Sequence, residues 1–375
     1  MQALRLYDEL TAARTRYLRV DELCRLAAER GYLPSEAELA IEARLPLKEK
    51  KGLEREQGRF LAEILGNPVA GTHLCHAMLL PRADSRTRLM EYEQRGELRL
   101  QGATLKREGK ASVVTLSNPH YLNAEDESTL PGAEIAVDVA LLDPKTEVCV
   151  LRGDVVTHAK YAGRRLFGAG INLTHLYEGK IRYLWYLIRD LGFVNKLYRG
   201  LAQENQSPEL ASTEKLWIAA VEGFAIGGHC QILLTMDYTL AAQDAYLTLP
   251  ARKEGIIPGA ANLRLPRFVG DRIARQAILA ERRIECSSPE GRMICDDIVP
   301  SSRMDGAIAS MVEKLTSSGV VSAAGNRRAF RAGEEPLDTF RRYMAIYARE
   351  QAGCHFSPAL IANLERNWKA AKSSG

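Results

Sequence analysis

The chain has few cysteines, and they follow no pattern. The seven of them, Cys24, Cys75, Cys149, Cys230, Cys286, Cys295 and Cys354, form no CxxC pair. An odd, scattered set argues against a disulfide framework or a zinc ribbon and for a reduced, cytoplasmic setting. No long hydrophobic run occurs. The longest uncharged stretch near the middle, GFAIGGHCQILLTM between Glu222 and Asp237, is far short of the ~20 apolar residues of a membrane span. The N-terminal MQALRLYDEL carries Arg5, Asp8 and Glu9 early, unlike a signal peptide. Charge of one sign is lacking too. Lys and Arg number 51 against 47 Asp and Glu, a net +4 spread along the chain, which argues against nucleic-acid binding. No GxGxxG fingerprint or P-loop appears, and no two-histidine-plus-carboxylate cluster stands out among the seven histidines.

What remains is an ordinary globular composition, 46% hydrophobic and 26% charged over 375 residues. Length alone suggests two domains with an appendage. Residues 1–96 read as a helical domain. Leu53, Phe60, Leu61, Ile64 and Leu65 share a helical face that Gly66, Asn67 and Pro68 terminate, while PLKEKKGLERE reads as a solvated charge run. His73, Cys75 and His76 lack the order and the second ligand pair of a zinc site. From residue 97 the pattern changes. LRLQGATLKREGKASVVTLSN alternates as a strand pair, EIAVDVALLD is helical, and EVCVLRG and LWIAAVEG are strands. GGHCQILLTM then reads as a helix and DYTLAAQDAYLTLP as two short strands. Strands alternating with helices indicate an α/β core, taken as residues 97–320. Residues 321–375 form a C-terminal helical region, with Leu337, Phe340, Met344 and Tyr347 on one face that packs on its own or a neighbouring subunit.

Two segments look chemical. RRLFGAGINLTHL places Gly168 and Gly170 where small residues let the backbone approach a ligand with unpaired N–H groups. In VEGFAIGGHCQILLTMD, Gly227 and Gly228 open a helix, whose free N–H groups suit an anion or a developing oxyanion. The running order FGAGIN, AAVEGFAIGGHCQ, YTLAA, LPARKEGIIPGAANLRLPRFVG, with LSNPHYLNAED upstream, resembles the crotonase (enoyl-CoA hydratase/isomerase) superfamily. That resemblance implies a ββα-superhelix core, assembly as trimers or hexamers, and an acyl-CoA thioester as substrate. By motif position it makes the N–H groups of Ile171 and Gly228 the oxyanion hole for a thioester enolate.

The departures bear on the reaction. A hydratase carries one glutamate where this chain has Gln231 and a second where it has Ala251, and neither replacement transfers protons. His229 takes the place of a glycine and reads as a structural residue beside the turn, with a proton-transfer role as the alternative. Glu125 follows N-A where an apolar residue is usual, whereas Asp126 and Glu127 read as exposed acids. Within the superfamily these features are most similar to the arylacetyl-CoA dioxygenases of glycopeptide-antibiotic biosynthesis. The resemblance implies that Glu125, Arg189 and Gln231 bind ring hydroxyls, that Glu125 serves catalysis, and that Ala251 and Ile256 line an apolar oxygen pocket. It implies an aryl-acetyl-CoA thioester and O₂ as reactants, with no metal or other cofactor. Another crotonase activity, thioester hydrolysis or isomerisation, is the alternative, and a non-catalytic CoA-binding protein is a third.

Overall fold

Seven strands through the middle of the chain form one sheet, in which spatial order follows chain order. A computed structural model describes residues 2–318 and 320–368. Met1, Gly319 and residues 369–375 of the expected C-terminal helical region lie outside the described residues. The strands are β1 (Glu97–Leu100), β2 (Ala103–Glu108), β3 (Ala111–Leu116), β4 (Val148–Gly153), β5 (Leu216–Val221), β6 (Tyr238–Ala242) and β7 (Asp297–Val299). The expected strand pair after residue 97 is three strands, because the chain reverses twice. Gly102 at φ 86° and Gly109 at φ 57° each sit in a two-residue loop and take up the left-handed backbone such loops need. β1 to β3 are antiparallel. From β3 to β7 every pairing is parallel. The central strands β4 and β5 are almost continuously apolar because both their faces are buried, as parallel strands require.

Helix α1 (Arg55–Gly66) lies in the N-terminal third, and α2 (Leu130–Leu142) packs on β2 and β3. Helix α3 (Tyr183–Ile188) runs into a π-helical turn, Arg189–Val194. The short helices α4 (Gly228–Leu233) and α5 (Ala251–Glu254) follow β5 and β6 respectively, and α6 (Leu337–His355) comes near the end. α6 packs along α1, and a Cβ on Gly58 would lie only 2.7 Å from that of Ala352. Leu337, Phe340, Met344 and Tyr347 are all buried, so the predicted apolar face of α6 is covered by this chain itself. One hydrophobic cluster runs from Ala3 through the sheet to Leu364.

Two readings of charge need correction. In PLKEKKGLERE, Leu47 and Glu54 are buried, and the Glu54 carboxylate accepts the N–H of Tyr183 at 3.1 Å, capping α3. Asp126 is also buried. It accepts hydrogen bonds from Ser128 at 2.7 Å and Asn172 at 3.0 Å, and so ties the LNAED segment to the loop that carries Gly168 and Gly170. Acids at helix starts look alike in sequence, and only distant donors distinguish a buried one.

Candidate active site

The site is built where two loops meet. Phe224–Ile226 pairs with Tyr246–Thr248 in a second, small sheet, and its end is turned into α4 by Gly227 at φ 53°. The loop 166–172 runs beside it, bridged from Gly168 to Ala225 and from Ile171 to Glu125. The N–H groups of this loop can be accounted for one by one. Phe167 donates to Glu222 O, Gly168 to Phe224 O, Ala169 to Leu122 O, Gly170 to the His229 ring and Asn172 to Glu125 O. Among the described residues the Ile171 N–H has no protein acceptor, and neither has that of Gly228 at the start of α4. A Cβ on Gly170 would lie 2.8 Å from Ile226 O and 3.0 Å from Gly228 N. Glycine therefore allows the two loops to touch.

His229 fastens the contact. Gly170 N–H donates to its Nδ1 at 3.0 Å, which assigns the ring proton to Nε2, a buried atom with no partner. Burial pushes the ring pKa down to about 4, Arg189 adds to this, and Glu125 only partly opposes it. The imidazole is thus neutral around pH 7 and serves as an acceptor.

Arg189 opens the π-helical turn and uses all five of its N–H groups inside the protein. Nε and Nη2 hold the two Glu125 oxygens at 2.8 Å each, and Nη2 also meets Gly228 O at 2.8 Å. Nη1 donates to Asp190 and to Gln231 Oε1, both at 2.9 Å. Burial works against this cation, but the carboxylates of Glu125 and Asp190 outweigh it and raise its pKa. Burial also raises the Asp190 pKa, opposed by Arg189 and by a hydrogen bond from Tyr347.

Ile171, Arg189, Gly228, Gln231, Ala251 and Ile256 line one narrow cavity. Glu125 does not face it. It lies in a smaller adjoining cavity with His229. Gly228 and Arg189 stand between the two: a Cβ on Gly228 would lie 2.5 Å from Glu125 Oε2 and 2.9 Å from Arg189 Nη2. Sequence reasoning missed Tyr186, Asp190, Glu254 and Tyr347 in the walls. Their only local signals are that Asp190 adjoins Arg189 and that Glu254 lies one turn after Ala251. A wider cleft opens near Tyr198, Arg327 and Phe330, but there Arg331 is paired with Glu214 and Arg327 with Asp237. Among the described residues no group of three or more His, Cys, Asp or Glu is placed to hold a metal ion. None of their helices is long and apolar enough to cross a membrane.

Known proteins resemble this chain in sequence and fold. The enoyl-CoA hydratase/isomerase family model matches residues 106–349. A (3,5-dihydroxyphenyl)acetyl-CoA 1,2-dioxygenase of Amycolatopsis orientalis is 48% identical over 350 residues, covering 92% of this chain and 80% of that protein. A short-chain-enoyl-CoA hydratase of Clostridium acetobutylicum is 28% identical over 245 residues, covering 64% of this chain and 86% of its own. Among solved structures, an enoyl-CoA hydratase from Mycobacterium avium subsp. paratuberculosis superposes with a TM-score of 0.59 at 20% identity, over 72% of this chain and 97% of that one. The family match spans more than half of the chain and the fold is that of solved hydratases, so this protein belongs to the enoyl-CoA hydratase/isomerase family, the crotonase superfamily.

Proposed function

We propose that this protein is a dioxygenase that converts (3,5-dihydroxyphenyl)acetyl-CoA and O₂ to 3,5-dihydroxyphenylglyoxylate and CoA without a metal or other cofactor. The observation that carries the reading is the 48% identity, over 92% of the chain, to a protein named for that reaction. The site is chemically compatible with it. Gln231 and Ala251 line the cavity and cannot transfer protons, so addition of water through these two positions is closed.

The two amides without acceptors, Ile171 and Gly228, receive the thioester oxygen. Their hydrogen bonds strengthen as charge develops there, which stabilises the enolate. The dihydroxyphenyl ring spreads that charge, and the substrate itself becomes the reductant. O₂ sits against Ala251 and Ile256 and takes an electron from the enolate. The radical pair joins at the α-carbon as a peroxide. The peroxide attacks the thioester carbonyl and expels CoA, and O–O cleavage leaves the α-keto acid. At the ring end, the Gln231 amide N–H₂ has no protein acceptor among the described residues and donates to a ring hydroxyl. Arg189, with every N–H occupied, orients Gln231 and Glu125, and Glu125 acts by holding Arg189. Assembly as a homotrimer or homohexamer in the cytoplasm completes the reading. Six buried cysteines and the half-buried Cys354, all unpaired, are consistent with a reducing compartment.

The test is O₂ uptake by chelator-treated protein with a panel of arylacetyl-CoA thioesters, with ¹⁸O₂ as tracer. Uptake should be fastest with the 3,5-dihydroxy compound, and both labelled atoms should enter the keto acid. CoA release without O₂ uptake would mark a thioester hydrolase and overturn the reading.

A further inference from the structure

One ionisable group in the cavity wall has no place in that scheme. Glu254 is only 4% exposed, closes α5, and faces the cavity from the same helical side as Ala251, three residues before it. Its Oε2 lies 3.9 Å from where a Cβ on Gly227 would be, beside the start of α4 and the Gly228 amide. No side chain or backbone group among the described residues hydrogen-bonds it. Lys253, next to it in sequence, is its one charged influence. An unpartnered carboxyl inside a protein is costly to keep. Burial holds its pKa up at about 7, so it exchanges a proton readily near neutrality.

The other candidate bases are occupied. Asp190, the other acid lining the cavity, is held by Arg189 and Tyr347. Both oxygens of Glu125 are taken by Arg189, and it faces the adjoining cavity. His229 spends Nδ1 on Gly170.

We propose that Glu254 is the catalytic base that removes the α-proton of the substrate. This rests on the dioxygenase reading, in which the thioester oxygen occupies the Ile171 and Gly228 amides. The α-carbon is one bond beyond the carbonyl carbon, so its C–H bond and the Glu254 carboxylate share one end of the cavity. The carboxylate takes the proton, and the C–H electron pair becomes the enolate double bond, with the charge on the oxygen at the two amides. When the peroxide closes on the carbonyl and the CoA thiolate departs, the carboxylic acid returns that proton to sulfur. The regenerated carboxylate takes the second α-hydrogen as the ketone forms and the O–O bond breaks. Of the two methylene hydrogens, one leaves on CoA and one passes to solvent, and both oxygens of O₂ remain in the keto acid.

The experiment follows exchange of the α-hydrogens of (3,5-dihydroxyphenyl)acetyl-CoA in D₂O without oxygen, alongside thioester affinity and aerobic O₂ uptake. Glu254→Gln should slow both exchange and uptake by about 10²-fold or more, the usual contribution of a positioned base. Affinity should stay within a few-fold, and Glu254→Asp should recover part of the rate. Glu254→Leu, which buries no polar group, should behave as Glu254→Gln does and covers poor folding of the glutamine variant. Wild-type exchange rates in either the glutamine or the leucine variant would overturn the role of Glu254 and leave the dioxygenase reading standing. A wild-type protein that neither exchanges the α-hydrogens nor consumes O₂ would overturn that reading, and the role of Glu254 with it.

Discussion

At the scale of the residue, Arg189 carries the most consequence. It is one cation among two buried carboxylates, Glu125 and Asp190, and each of its five N–H groups has an acceptor. A buried pair adds little over an apolar replacement, but removing one partner strands the other's charge, typically at about 3–5 kcal/mol. Arg189→Ala should therefore lower the unfolding free energy by an amount in that range, read as a lower denaturant midpoint. Glu125→Gln added to it should recover part of the loss, because one stranded charge is then gone. Arg189→Lys should not rescue, since an ammonium has three donors and no planar fork to grip both Glu125 oxygens. Equilibrium unfolding of the four proteins checks this, and additive losses in the double variant would contradict it.

At the scale of the element, the site depends on two loops and the first turn of one short helix. Ile171 contributes its backbone and Gly228 the start of α4, and neither side chain supplies a donor. Ile171→Ala should keep the N–H and cost less than about tenfold in kcat. Ile171→Pro deletes the donor itself, and loss of one oxyanion-hole donor costs ~10²–10³ in rate. O₂-uptake kinetics on both variants, with folding checked by circular dichroism, measures the difference. Full activity in a folded proline variant would remove Ile171 from the oxyanion hole.

At the scale of the whole molecule, packing α6 against α1 and α3 buries a second neutral histidine. His355 meets the Tyr186 hydroxyl at 3.3 Å, and burial, aided by Lys50 and Arg55, pushes its pKa down to about 3. His229 is held at about 4. The unfolded chain takes these protons near 6.5, whereas the folded one refuses them. Their contribution to stability is therefore full above 6.5 and is lost as the pH falls toward 4 and 3. Glu254 acts in the opposite sense. Its pKa is raised from 4.5 to about 7, so its contribution is present at acid pH and lost as the pH rises through 7. Each histidine should steepen the acid loss by up to about 1.4 kcal/mol per pH unit. Denaturant unfolding between pH 6.5 and 4 should show a shallower decline for His355→Phe than for the wild type, and parallel curves would contradict the assignment.

Local patterns carried much of this protein. The apolar runs of β4 and β5, the periodic face of α6 and the glycines at 168, 170, 227 and 228 could be read without a structure, because strand burial, helix faces and backbone freedom depend on near neighbours. The absence of hydratase carboxylates at Gln231 and Ala251 was legible for the same reason, since each stands inside a contiguous motif. What local pattern could not supply was direction across the fold. The third strand required two reversals where alternation suggested one. Asp126 was read as exposed, yet Asn172, far along the chain, holds it buried. That Arg189, 64 residues further on, takes both Glu125 oxygens had no local sign. Glu254 carries no local sign of burial within LPARKEG, and Tyr347 read as one more apolar position on α6. Whether a side chain meets solvent, a partner or a cavity depends on elements tens to hundreds of residues away, and only their packing together decides it.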